Sequence, residues 1–196
     1  MKAALIISAL LLFVVLYQNE QSSVRQPPGI LAPGEPFQIG VESQPPLVKQ
    51  GYRIEALARF SIQARVLRAE HYRFDRAAEL VPVDLVLGWG DMSNSEVVEK
   101  ISISQGQRVY EWNAGRNPPI PPRAISLQSA NMHMVPANSD VERILKEARP
   151  GNVVKIYGYL IDARASDGFH MRSSLTREDT GMGACEVIWV DRIELR

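Results

Sequence analysis

The chain has 196 residues, with 22 basic side chains set against 22 acidic ones and a single cysteine. The balance holds locally too, since residues 1–50 set Lys2, Arg25 and Lys49 against Glu20, Glu35 and Glu42, so no basic field exists to neutralise a nucleic-acid backbone or grip anionic lipid. One thiol excludes an intrachain disulfide, and the length beyond the N-terminal segments described next fits one domain.

An apolar run from Ala3 to Tyr17, broken only by Ser8, follows Lys2 and closes at Gln18, Asn19 and Glu20. No small-residue cleavage site of the A-x-A type follows it. The expectation is an uncleaved anchor over residues 1–18 with Lys2 inside, by the positive-inside rule. A helix over residues 3–17 covers roughly 22 Å, short of the about 20 residues of a full span. Local thinning and an interfacial Tyr17 make up the difference. This places a single-pass protein in the bacterial inner (cytoplasmic) membrane, its C-terminal domain on the periplasmic side and the lipid bilayer its partner through residues 3–17.

Residues 19–50 read as a linker, rich in proline and glycine (Pro27, Pro28, Gly29, Pro33, Gly34, Pro36, Pro45, Pro46) and hence semi-stiff. Phe37, Ile39, Val41, Leu47 and Val48 are too apolar for pure spacer, so part of its second half is expected to pack on the domain at 51–196. From Tyr52 to Val66 apolar and polar residues alternate, with Leu57 the exception. Period two predicts a strand with one buried face, and its length requires a bend, bulge or split.

Further strands are expected at 83–89, 108–112, 124–127, 132–135, 153–161 and 185–190. Helices are expected behind Ser93-x-x-Glu96 and Ser139-x-x-Glu142, both capping-box patterns, with a short turn of helix in 72–80. The fold class is α+β, with a predominantly antiparallel, strongly curved or barrel-like sheet, two to three short helices and an N-terminal transmembrane helix.

Three groups of residues invite chemistry. Asp179-Thr180-Gly181 matches the triplet of aspartic proteases, but polar Thr176, Arg177 and Glu178 precede it where those enzymes have an apolar strand, so it reads as a turn. Met132-His133-Met134 would suit a soft metal, yet on a strand the methionines face away from the histidine. His133 therefore reads as a core histidine. His71, His133 and His170 lack ligand spacing, so neither metal nor cofactor is expected. Cys185 with His133 or His170 would form a thiol dyad, while the run Cys185–Val190 favours a buried, protonated thiol. The loop 166–184 is dense in hydroxyls, arginines and acids. It reads as self-bonded structure, with Arg172, Ser173, Ser174, Arg177 and Asp179 as the ligand-binding candidates.

Leu87-Gly88-Trp89-Gly90-Asp91-Met92-Ser93, Ile103-Ser104-Gln105 and the strings Ser174–Gly181 and Gly183–Glu186 resemble stretches of uncharacterised bacterial proteins with one N-terminal membrane segment. That resemblance implies a bacterial membrane-anchored protein and transfers no catalytic residue. The function expected is a non-catalytic extracytoplasmic binding or assembly module with a protein partner or a second copy. The alternatives are a small hydrolase using Cys185 or His133, and a small-ligand or metal carrier.

Overall fold

The computed structural model describes residues 23–42, 45–176 and 185–196. The segment at 3–17 lies outside them. Among the described residues no helix is long and apolar enough to cross a membrane.

The structure is mostly strand with three short helices. In chain order these are β1 (Phe37–Gly40), β2 (Leu47–Lys49), β3 (Tyr52–His71), β4 (Val83–Gly88), a 3-10 turn (Gly90–Ser93), α1 (Ser95–Val98), β5 (Ser102–Gly106) and β6 (Val109–Asn113). Then follow α2 (Pro122–Leu127), β7 (Ser129–Pro136), α3 (Ser139–Glu147), β8 (Val153–Ala165), β9 (His170–Arg172) and β10 (Glu186–Leu195).

Five strands pair in a circuit: β3 with β4, β4 with β7, β7 with β10, β10 with β8, and β8 with β3. Only β7–β10 is parallel among these. Inside the circuit lie Phe60, Ile62, Val66, Leu85, Leu87, Met132, Met134, Ile156, Leu160 and Ile188, together with Val141 and Leu145 of α3. The apolar face of α3 thus shares this core. The β5–β6 hairpin and α2 share a second cluster with Val86 of β4, through Ile103 and Ile125.

β3 carries the predicted alternation, with a difference. The β3–β8 register slips between Ala56 and Ala58, leaving Leu57 as the extra residue. Ala58, Phe60 and Ile62 then face the inner core, while Tyr52 and Ile54 face another cluster with Val135, Val187 and Trp189. Even positions from Tyr52 to Val66 are buried, save half-buried Ala56 beside the bulge, because the bulge exchanges one core for another. A bulge inserts one residue and bends its strand.

Four local expectations are corrected. Residues 124–127 lie in helix α2, not a strand: Pro122 sits at its first turn, where a missing N–H costs nothing. Asn94, not Ser93, caps α1, accepting from the Glu96 amide. Asn138, not Ser139, caps α3, accepting from Asp140 and Val141. Residues 72–80 form turns rather than helix.

The linker is docked from its first described residues. The Val24 amide donates to Pro150 O at 2.8 Å, Gly90 N to Ala32 O at 2.8 Å, and Leu31 and Ala32 amides to Ser93 Oγ.

Candidate functional site

The register across the circuit aligns polar residues on its outer face. Glu70 of β3 pairs with Asp84 of β4, Asp84 with His133 of β7, and His133 with Val187 of β10. Cys185 stands two residues before Val187, and strand residues two apart share a face. Met132 and Met134 point the other way, into the inner core. The methionines therefore do face away from His133, as the alternation requires.

Asp84 is wholly buried. Arg108 Nη1 donates to its Oδ1 at 2.9 Å, and His133 Nδ1 lies 3.0 Å from its Oδ2. The second approach is off the hydrogen-bond axis, so it acts as an ion pair. With Nδ1 turned to Asp84, the Nε2 edge of the ring is left toward the Cys185 side, and Cys185 is the second group that favours the charged imidazole. Burial opposes the charge on His133, but the contacts with Asp84 and Cys185 outweigh it and push its pKa up to about 9. Burial and then the Asp84 charge raise Glu70. His133 is buried between core methionines, as expected, and in addition pairs with the buried Asp84 carboxylate. Cys185 itself is half-buried, where full burial was expected.

Arg108 owes its place to a turn. Gln107 and Arg108 have φ of 51° and 69° between paired β5 and β6. Two central residues at positive φ make a type I′ hairpin turn. The guanidinium reaches back over β4, lies 3.8 Å from the Tyr72 ring centroid, and also bonds both oxygens of Asp75 and the carbonyl of Val81. Burial pushes the Tyr72 phenol up to about 12.

The other candidates are placed as follows. His170 and Arg172 bond Asp162 of β8 at 2.7 and 2.6 Å, and Arg164 joins them at 3.1 Å. Burial pushes Asp162 up, but its three cationic partners prevail and hold it below the ordinary carboxylate range. Ser173 Oγ accepts from Val187 N at 3.1 Å and donates to Ser174 O. The Ser174 amide donates to Cys185 O at 3.2 Å. The two serines thus hold the start of β10, and with it Cys185, in place. Arg177, Asp179, Gly181 and Gly183 lie outside the described residues.

The sequence reading passed over Asp84 and Arg108. Asp84 had a signal, a lone carboxylate inside the apolar run Val83–Leu87, since buried acids are rare unless paired. Arg108 had none, because only the hairpin register brings it over β4. No family model matches the chain, and neither a curated protein nor a solved structure matches it.

Proposed function

We propose that this chain is a membrane-tethered extracytoplasmic thiol enzyme, a hydrolase or acyl transferase with Cys185 as nucleophile, His133 as acid–base and Asp84 as the group that orients the ring. The observation that carries it is the row Asp84–His133–Cys185 across β4, β7 and the head of β10. A nucleophile beside a base, itself oriented by a third group, is the general signature of covalent catalysis. The Cys185 thiolate adds to the carbonyl carbon of an acyl donor. Collapse breaks the bond to the leaving group, which takes the His133 proton, and leaves a thioester. Water, deprotonated by His133, then releases the acid and restores the thiol.

The fold supports a ligand at this face. We read the circuit as a closed five-stranded barrel with α3 across one end, the architecture of OB-type folds. Those bind ligands on the outer face of their second and third strands, between the loop after strand one and the loop before strand five. Here these are β4, β7 and the segments at 72–82 and 173–176. Balanced charge and the absence of a basic stripe argue against nucleic acid as the ligand.

The test is acylation of the full chain in detergent with an activated ester. An acyl adduct at Cys185 that forms faster than on a small free thiol, and slows in His133→Gln, is expected. Equal rates with and without His133 would sink the reading.

A second reading, a non-catalytic assembly module, has its own observation. Phe37 and Ile39 of β1 are each 55% exposed and Val48 of β2 is 78% exposed. These two strands extend the edge of β3 beyond β4, and an exposed apolar edge suits a partner strand. Sedimentation of the full chain tests it: a dimer broken by Val48→Lys supports assembly, and a monomer at all concentrations removes it.

A further inference from the structure

We propose that the cavity between the docked linker and β3 is an anion site that takes a phosphate ester, either a phospholipid headgroup or a free phosphomonoester. The cavity measures about 590 Å³ and is walled by Arg25 of the linker, Arg65 and Arg68 of β3, Ser95 and Glu99 at α1, and Gly151. Ligand pockets run from roughly 300 to 1,000 Å³.

Three arginines face one carboxylate across this space, and among the described residues none of the three forms an ion pair. Arg65 is only 8% exposed. Its Nη1 donates to Ser95 Oγ at 2.9 Å and to Ser93 O at 3.4 Å, both neutral acceptors. Arg68 Nε donates to Ile103 O at 2.7 Å, again a neutral group. Burial lowers the Arg65 pKa and the Glu99 charge only partly offsets that. A guanidinium this buried is ordinarily matched by an anion in contact. Its planar donors fit phosphate oxygens two at a time.

The site is assembled rather than incidental. Gly151 sits at φ +95°, and a Cβ there would stand 1.9 Å from Val24 O. Only glycine admits the linker this close, and the Val24–Pro150 bond then fixes it. Arg25 follows Val24 directly, so this contact makes the linker one wall of the cavity.

Position argues for a lipid source as well as a free one. Arg25 lies eight residues after Tyr17 in the chain. At 3.3–3.6 Å per residue the intervening chain spans at most about 29 Å. If residues 3–17 anchor the chain, the cavity lies within reach of the headgroup layer. That arm alone rests on the anchor reading, and none of the proposal rests on the thiol chemistry.

The test uses the full chain carrying Cys185→Ser, in a phosphate-free detergent, so that thiol chemistry cannot contribute. Glycerol 3-phosphate is titrated by calorimetry, and lipid retention is read by native mass spectrometry after passage through phosphatidylglycerol vesicles. The variant Arg25→Gln/Arg68→Gln removes two donors while sparing the buried Arg65, and its melting curve checks folding. Binding of the free ester that weakens tenfold or more in the double variant identifies a phosphomonoester site. Lipid retention lost in the variant, without ester binding, identifies a headgroup site. Binding of neither probe, or binding that the folded double variant leaves unchanged, overturns the proposal.

Discussion

Two buried aspartates sit on strands of the same circuit, and each meets arginine and histidine. Asp162 on β8 is clamped by Arg164, Arg172 and His170, whose side chains are 61%, 50% and 40% exposed. Asp84 on β4 meets Arg108 and His133, which are 17% and 9% exposed. The Asp162 cluster ends in solvent on every side. The Asp84 cluster runs from a wholly buried carboxylate through a buried imidazole toward a half-buried sulfur. The same residue types thus close a hairpin in one place and compose a candidate reaction centre in the other. What separates them is how well water can replace a lost partner.

The sharpest break of that comparison is Asp84→Asn against Asp162→Asn. Losing the Asp84 charge leaves buried His133 without its anion, while Arg108 keeps Asp75 and the Val81 carbonyl. Removing one partner of a buried pair costs about 3–5 kcal/mol. Asp162→Asn keeps an acceptor and leaves its cations free to hydrate, so about 1–2 kcal/mol is expected. Urea unfolding of both variants measures this. Equal costs would show that the two clusters do the same job.

pH separates them in opposite directions. The His133 pKa rises from 6.5 to about 9 in the fold, so the stabilisation from its pairing is fully present below about pH 6.5. It is lost as pH climbs through about 9, and amounts to about 1–3 kcal/mol. Asp162 is depressed in the fold, so its contribution is present above the ordinary aspartate range and vanishes in acid. Melting from pH 5 to 10 should show an alkaline loss that Cys185→Ser diminishes, since the sulfur is one of the groups holding the proton on His133. An alkaline limb unchanged by Cys185→Ser and by His133→Gln would assign it elsewhere.

Much of this architecture was legible as periodicity. The alternation in 52–66, the apolar run 153–161 and the amphipathic pattern behind Asn138 are local signals, and the strands and helix followed. What was not legible depends on register. Leu57 broke the alternation visibly, yet only pairing with β8 shows that the break exchanges one core for another. Cys185 looked like a core thiol because Val187 and Trp189 share its face. That face carries His133 because β10 docks parallel to β7, a long-range choice no local window records. His170 and Arg172 lay in the loop that seemed functional, and Asp162, which binds them, sat unnoticed in a strand.

Thiol reactivity sharpens the contrast further. The sequence alone favoured a slow, buried cysteine, whereas a half-buried sulfur beside a cationic imidazole should react faster than that. Maleimide labelling of the native full chain at pH 7 should therefore proceed readily and slow several-fold in His133→Gln, while His170→Gln leaves it unchanged. A rate indifferent to His133 would return Cys185 to the status of a small hydrophobe.

The smallest effect belongs to Arg172, and it tests whether the Asp162 cluster is only a clamp. Its guanidinium makes the shortest contact to that carboxylate, 2.6 Å, but its side chain is half exposed. Exposed ion pairs contribute about 0–1 kcal/mol, and Arg164 and His170 remain on Asp162 when Arg172 is lost. Arg172→Gln should therefore shift the unfolding free energy by under about 1 kcal/mol. There is one route by which it could matter more. β9 precedes Ser173 and Ser174, and those residues bond Val187 and Cys185 at the head of β10. If the clamp positions that segment, Arg172→Gln will slow Cys185 labelling while leaving stability almost untouched. If it merely closes the β8–β9 hairpin, both readouts will stay at the parent value.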